Sequence, residues 1–261
     1  MKIEQIETTV LEMPYKKPLI TATNNFTVAR GLLVKVITDA GVEGYGYSDL
    51  FPRTGETPET ARHTVEEILK PKVIGRELEE LARIRADIDH TLTGNPRAKA
   101  ALESAMYDAL ARSCHIPLYL MLGGRYRKEI KVIKMVSVDV PEAMAEEARR
   151  LVRDGLSLKL KVSGKIGQDL PRVAAVRKAV GDDVFIKVDA NEAYDAKTAI
   201  RLAKGLADHG VEVFEQPVPR DQFDALWEVK KHSPVKIEAD QSVRTVRDAQ
   251  MVIKNRMVDS I

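Results

Sequence analysis

Hydrophobic and polar positions change rhythm near residue 130. Before it, residues 3–13 alternate loosely between apolar and polar side chains. Residues 30–38 are rich in Val, Leu and Ile, Asp39-Ala40-Gly41 marks a turn, and residues 42–47 return as a strand. That is a β meander. The stretch of about residues 15–27, between the first two strands, carries Thr, Asn and Pro and predicts a mobile loop. Helical spacing follows over residues 58–70, headed by Thr57 with Pro58 in the first turn, and over residues 78–92. A third helix is predicted from Asn95-Pro96 to Ser113, and Gly123-Gly124 breaks the pattern. Residues 1–125 therefore read as an α+β domain.

From Ile130 onward, short β-branched stretches alternate with helical ones. Strands are predicted over residues 131–138, 157–162, 184–189, 213–215 and 236–239. Each precedes a helix, over residues 141–153, 169–180, 196–209, 220–231 and 246–255. Such alternation means a parallel sheet, and right-handed crossovers make it an open doubly wound sheet or a barrel. No Gly-x-Gly-x-x-Gly follows any strand, so a dinucleotide fold has no support. Residues 126–261 thus hold five strand-helix units and the start of a sixth strand.

Composition narrows the class. At 44% hydrophobic and 31% charged, the 261 residues specify a globular protein with a substantial core. A net charge of +2, from 41 basic and 39 acidic residues, gives no footprint for nucleic acid or an anionic membrane. No run approaches the ~18 apolar residues of a membrane span. Met1-Lys2-Ile3-Glu4 lacks the apolar core of a signal peptide, and the single cysteine, Cys114, precludes a disulfide within the chain. A reducing cytoplasm is the expected compartment.

The chemistry sits at the ends of the predicted strands. In Leu158-Lys159-Leu160-Lys161-Val162 both lysines share one face and the apolar residues share the other. Parallel strands are normally apolar on both faces. If helices cover the apolar face, Lys159 and Lys161 point into the interior, where an ammonium needs a carboxylate neighbour or a lowered pKa. The next strand repeats the inversion with Lys187, Asp189 and Asn191 on one face. Glu215 then precedes Gln216-Pro217, and Glu238 and Asp240 share a face before Gln241-Ser242. Lys161 to Asp189 is 28 residues, Asp189 to Glu215 is 26 and Glu215 to Asp240 is 25, about one strand-helix unit each. Polar groups at the C-terminal ends of successive parallel strands are where barrel enzymes place their chemistry. Asp189, Glu215 and Asp240 form a hard oxygen set suited to Mg²⁺, with Mn²⁺ as a substitute, rather than to zinc. His63, His90, His115, His209 and His232 fall in helices or at their ends and read as surface or packing residues. Trp227 reads as helix-to-barrel packing.

The ordered set Lys-x-Lys, Asp-x-Asn, Glu-Gln-Pro and Ala-Asp-x-Ser, with Gly123-Gly124 after Pro117-Leu118-Tyr119, resembles the enolase superfamily. Within it, the similarity is to the muconate lactonizing enzyme subgroup of the mandelate racemase/muconate lactonizing enzyme family, over the whole chain. The resemblance implies an α+β capping domain followed by a modified TIM-like barrel. It implies Mg²⁺ held by Asp189, Glu215 and Asp240, Lys161 as the base that removes a proton α to a substrate carboxylate, and Lys159 as its electrostatic support. Asn191, Gln216, Gln241 and Lys187 would lie around these groups or touch substrate. The stretch holding Tyr15, Ile20, Thr21, Thr23 and Asn24 would be the specificity loop. The partner is a small-molecule carboxylate, and a homo-oligomer is the expected assembly. Gln241 stands where the family usually has Glu, and Tyr47-Ser48 where Glu-Ala is common.

The function expected is a Mg²⁺-dependent racemase, epimerase or cycloisomerase. Its substrate would be a dipeptide, an N-acyl amino acid, a muconate or a succinylbenzoate-type acid. The subgroup's second lysine base lies on a sixth strand, beyond Ile261, and five strands alone leave a barrel unclosed. The alternatives are a truncated barrel fragment, inactive or completed by another chain, and a Schiff-base lyase using Lys161 or Lys187.

Overall fold

The structure is a computed structural model that describes residues 1–50, 55–153 and 157–261. Its contacts divide into two units, one of Met1–Lys17 with Thr27–Lys128 and one of Pro18–Phe26 with Glu129–Ile261.

In the first unit, β1 (Ile3–Ile20), β2 (Asn25–Thr38) and β3 (Glu43–Asp49) form a sheet in that order. Leu32, Val34 and Val36 alternate into the core, and Val34 lies opposite Gly46 of the antiparallel β3. Helix α1 (Pro58–His63) is headed by a Thr57 capping box and runs through a π-helical turn (Thr64–Leu69) into α2 (Lys70–Val73). Helices α3 (Leu81–Thr91), α4 (Pro96–Ser113) and α5 (Leu118–Met121) follow. Glycine is required where β3 meets α4: a Cβ at Gly46 would lie 2.0 Å from the Ala101 carbonyl oxygen, and one at Gly44 2.2 Å from that of Ala105.

The second unit is a parallel sheet in the order β4 (Ile133–Val136), β5 (Ser157–Lys161), β6 (Ile186–Asp189), β7 (Val213–Glu215), β8 (Lys236–Glu238). The alternating helices are α6 (Pro141–Arg153), α7 (Ile166–Val180), α8 (Ala196–Asp208), α9 (Phe223–His232) and α10 (Val246–Lys254). Leu158, Leu160, Val188, Phe214 and Ile237 join Val173, Leu202 and Leu226 of the helices in one core. The apolar strand faces are thus covered, and the charged faces point the other way. β4 is an edge strand with Ile133 and Met135 exposed, and Ser260 bridges to Glu238 at the other edge. This is the incomplete barrel expected, with short strands. No helix among the described residues is long and apolar enough to cross a membrane.

Two expectations are corrected. The segment read as a loop over residues 15–27 is mostly strand, because β1 runs to Ile20 and β2 begins at Asn25. Only residues 21–24 turn. There the Thr21 N–H donates to the Asn24 carbonyl at 2.9 Å and Thr21 Oγ1 accepts from the Asn24 N–H at 3.1 Å, so the turn satisfies its own backbone. Tyr15 lies on β1 in the first unit, whereas Ile20, Thr21, Thr23 and Asn24 group with the second, where Val138 N–H donates to the Ile20 carbonyl. Trp227 is not core packing. Leu226 and Val229 take α9 into the core, which turns Trp227 outward to 44% exposure with the Lys231 ammonium 5.2 Å from its ring.

Candidate active site

Register builds the site. In one rung Lys159 of β5 lies beside Lys187 of β6; in the next, Lys161, Asp189, Glu215 and Glu238 follow one another across β5 to β8. Long lysine side chains let the lower rung reach the acids of the upper one. Lys159 Nζ bridges Asp189 Oδ2 at 2.9 Å and Glu215 Oε1 at 2.7 Å. Lys187 Nζ lies 2.7 Å from Glu215 Oε2 and pairs with Glu238. Lys161, buried, donates to Asp189 Oδ2 at 2.5 Å and to Asn191 Oδ1 at 2.9 Å. Lys159, Lys161, Lys187, Asp189, Asn191 and Glu215 are therefore one connected cluster. Lys187 reaches it from below, held between two carboxylates.

Electrostatics follows from burial and neighbours. Burial alone would lower the Lys159 pKa, but the Asp189 and Glu215 carboxylates outweigh it and hold the ammonium above the ordinary lysine value. The interior lysine thus takes the carboxylate-neighbour solution. Asp189 is opposed by burial, yet Lys161 and Lys159 carry its carboxyl below the ordinary range. Glu215 is pushed up, by burial first and then by Asp189. Asp240 is pushed up for the same two reasons.

Two loops are locked behind these groups. Gln216, fully buried, donates from Nε2 to the Val218 carbonyl at 2.9 Å and to Ser242 Oγ at 2.7 Å. Its Oε1 accepts from the N–H groups of Asp240 and Ser242, each at 3.0 Å. Three of these four bonds go to the loop that carries Asp240 and the fourth to its own loop, so Gln216 orients the one against the other. Gln241 donates to Asp240 Oδ2. Asn191, Glu192 and Gln216 adopt left-handed backbone at φ 45°, 73° and 37°. Such strain persists only where surroundings over-determine it. Here Arg220 grips the Glu192 carboxylate at 2.8 Å through Nε and at 2.7 Å through Nη2, and Glu192 N–H donates to the Gln216 carbonyl.

Asp169, read from sequence only as the start of a helix, is a buried hub that reasoning along the chain missed. Helix α7 begins earlier, at Ile166, because Asp169 reaches back to the Ser163 and Lys165 N–H groups at 2.8 Å each. The usable signal was an acidic residue inside the first turn with Ser163 just upstream.

Among the described residues no three acidic, histidine or cysteine side chains converge closely enough to ligate one ion as they stand; Lys159 bridges Asp189 and Glu215 instead. The donor chemistry still fits a hard divalent cation. Asp189, Glu215 and Asp240 offer oxygens only, Glu215 and Asp240 are burdened by a like charge, and Gln241 Oε1 is buried without a hydrogen-bond partner among the described residues.

Residues 5–123 match the mandelate racemase/muconate lactonizing enzyme N-terminal domain, and residues 143–261 match the enolase C-terminal domain-like family. The chain is 38% identical to an L-Ala-D/L-Glu epimerase of Bacillus subtilis, over all of this chain and 72% of that one. It is 35% identical to muconate cycloisomerase 1 of Rhodococcus opacus, again over all of this chain and 72% of the relative. A dipeptide epimerase structure from Enterococcus faecalis, complexed with Mg and the dipeptide L-Leu-L-Tyr, superposes with a TM-score of 0.93 at 33% identity. It covers 99% of this chain and 73% of that one.

Proposed function

We propose that this chain, which belongs to the mandelate racemase/muconate lactonizing enzyme family of the enolase superfamily, is an isomerase that removes the proton α to the carboxylate of a dipeptide, with Lys161 as the base on one face. One observation carries the reading. At the C-terminal end of β5, a buried lysine is held between Asp189 and Asn191, with the apolar face of its strand turned into the helix-covered core.

In the proposed step the Lys161 ammonium first gives up one proton to solvent. The α-carbon–hydrogen bond then breaks, its electron pair delocalises into the carboxylate, the proton passes to Lys161 Nζ, and return of a proton to the α-carbon completes the exchange. Asn191 Oδ1 accepts from the ammonium so formed. Lys159, kept cationic by Asp189 and Glu215, places a fixed positive charge beside the developing negative one. A divalent cation, Mg²⁺ or Mn²⁺, held by Asp189, Glu215 and Asp240 would supply Lewis-acid stabilisation of that charge. Gln216 keeps the Asp240 backbone in place. A dipeptide is favoured because similarity to dipeptide epimerases recurs in both sequence and structure.

The test is α-proton exchange in D₂O with added Mg²⁺, across dipeptides, N-succinyl amino acids and muconolactone. Exchange is expected with a dipeptide, slowed by roughly 10³-fold in Lys161→Ala, the scale of a lost general base. Exchange that survives Lys161→Ala within threefold, or persists after exhaustive chelation, would overturn the proposal.

A further inference from the structure

Asp169 is charged and fully buried, and no step above uses it. Its Oδ1 accepts from the Ser163 N–H at 2.8 Å, Ser163 Oγ at 2.9 Å and Arg172 Nη1 at 2.9 Å. Its Oδ2 accepts from the Lys165 N–H at 2.8 Å and the Tyr194 hydroxyl at 2.6 Å. Arg172 extends the network, donating through Nη1 to Ser163 Oγ at 2.8 Å and through Nε to the Asp139 carbonyl at 2.7 Å.

The donors to Asp169 come from two successive loops at the C-terminal ends of the strands and from Arg172 of α7, which ties in a third loop by donating to the Asp139 carbonyl. Asp139 follows β4. Ser163 and Lys165 follow β5, with Ser163 two residues past Lys161. Tyr194 follows β6, five residues past Asp189. Five donors on two oxygens saturate a carboxylate, and a saturated buried network is rigid. A cap serving α7 alone would need only the Ser163 and Lys165 bonds. The Tyr194 hydroxyl, whose ring sits edge-on to Phe214, brings in the neighbouring strand.

We infer that Asp169, with Tyr194 and Arg172, is a positioning hub that fixes the end of β5 against the end of β6, and so holds the Lys161 ammonium on Asp189 and Asn191. Its part in turnover rests on the reading of Lys161 as the base.

The variants are Tyr194→Phe, which removes one hydroxyl and keeps the ring, and Asp169→Asn, which keeps the shape but turns an amide N–H₂ toward groups that are themselves donors. Two readouts are taken on each, with folding checked by circular dichroism. The first is hydrogen exchange of the Lys161 ammonium by ¹⁵N NMR. The second is kcat and KM for α-proton exchange. The ammonium is expected to exchange at least about tenfold faster, since a bond to a charged group is lost or weakened. The kcat is expected to fall roughly tenfold to a hundredfold, as for a misplaced catalytic group, with KM within about threefold. Unchanged ammonium exchange in folded Asp169→Asn overturns the hub, whether or not the wild type turns over a substrate. Faster ammonium exchange with unchanged kcat overturns its part in catalysis. Faster ammonium exchange in a protein whose wild type exchanges no α-proton on any substrate keeps the hub and overturns the proposed reaction.

Discussion

Replacing Gln216 by Met tests whether one buried amide holds the Asp240 loop. Met matches the side chain's length and volume, so the change leaves little cavity or overpacking to account for. What is lost is four hydrogen bonds: Nε2 to the Val218 carbonyl and Ser242 Oγ, and Oε1 from the Asp240 and Ser242 N–H groups. Three of the stranded partners are backbone groups. Each costs about 1–1.5 kcal/mol when left unsatisfied, so Gln216→Met is expected to destabilise the second unit by about 3–4.5 kcal/mol. That is a large share of the roughly 5–15 kcal/mol that keeps a domain folded. With a urea slope of about 2.5 kcal/mol/M, the unfolding midpoint falls by about 1.5 M, read by far-UV circular dichroism and by Trp227 fluorescence. Gln216→Glu is the companion. Its carboxylate keeps both acceptor bonds but turns an oxygen toward the Val218 carbonyl, and its loss of stability should shrink toward pH 5, where a protonated acid again donates. A midpoint shift below about 0.3 M in Gln216→Met, with unchanged slope, would refute the reasoning.

Gly46→Ala is expected to destabilise the first unit by more than about 2 kcal/mol, because the new Cβ meets the Ala101 carbonyl, which is backbone and cannot swing away. Gly41→Ala, at φ 72° with nothing within 4 Å, should cost only about 1 kcal/mol; equal losses in urea melts would contradict the close-approach argument. The Glu56 carboxylate accepts from the Arg97 and Ala98 N–H groups at the head of α4, at 2.8 and 3.0 Å. Glu56→Gln should lose about 1 kcal/mol, seen as faster amide exchange in the first turn of α4. Burial pushes the Glu212 carboxyl up, and its Oε2 accepts no hydrogen bond among the described residues. A carboxyl raised by folding is not penalised below its ordinary value and is fully penalised above the raised one. Glu212→Gln should therefore raise the melting temperature at pH 7.5 and leave it unchanged at pH 4. Calorimetry that shows no gain at pH 7.5 would sink this account.

Where local pattern and tertiary environment agree, sequence sufficed. Residues 213–215 were read as a strand to the residue, and β5 was legible because Leu158 and Leu160 alternate with Lys159 and Lys161. Legibility failed where partners are distant along the chain. Tyr194 meets Asp169 across 25 residues, and no periodicity announces that bond. Gln216 reads as a residue that lies around the acids or touches substrate, and its neighbours in sequence do not show that its four side-chain hydrogen bonds go to the protein, one of them across 26 residues to Ser242 Oγ. The turn over residues 21–24 looked like a long loop because Thr and Asn serve loops and tight turns alike.

The inverted strands follow one electrostatic logic. Placing lysines on the inner face would be ruinous if each stood alone, since a buried ammonium costs several kcal/mol. Register prevents that. The lower rung of β5 and β6 carries Lys159 and Lys187, and the upper rung from β6 to β8 carries Asp189, Glu215 and Glu238. Each lower-rung lysine is shared between two upper-rung acids, so the acids are neutralised from beneath and their upper side is left to other work. Asp240 lies two residues beyond this rung, on the loop that Gln216 fixes, and both it and Glu215 resist ionisation because burial desolvates them and, next, because Asp189 is already charged. Added positive charge at that end of the strands would therefore relieve Asp189, Glu215 and Asp240 together. A fold that stacks cations below and leaves acids in excess above has already chosen the face on which a cation and an anionic substrate would be received.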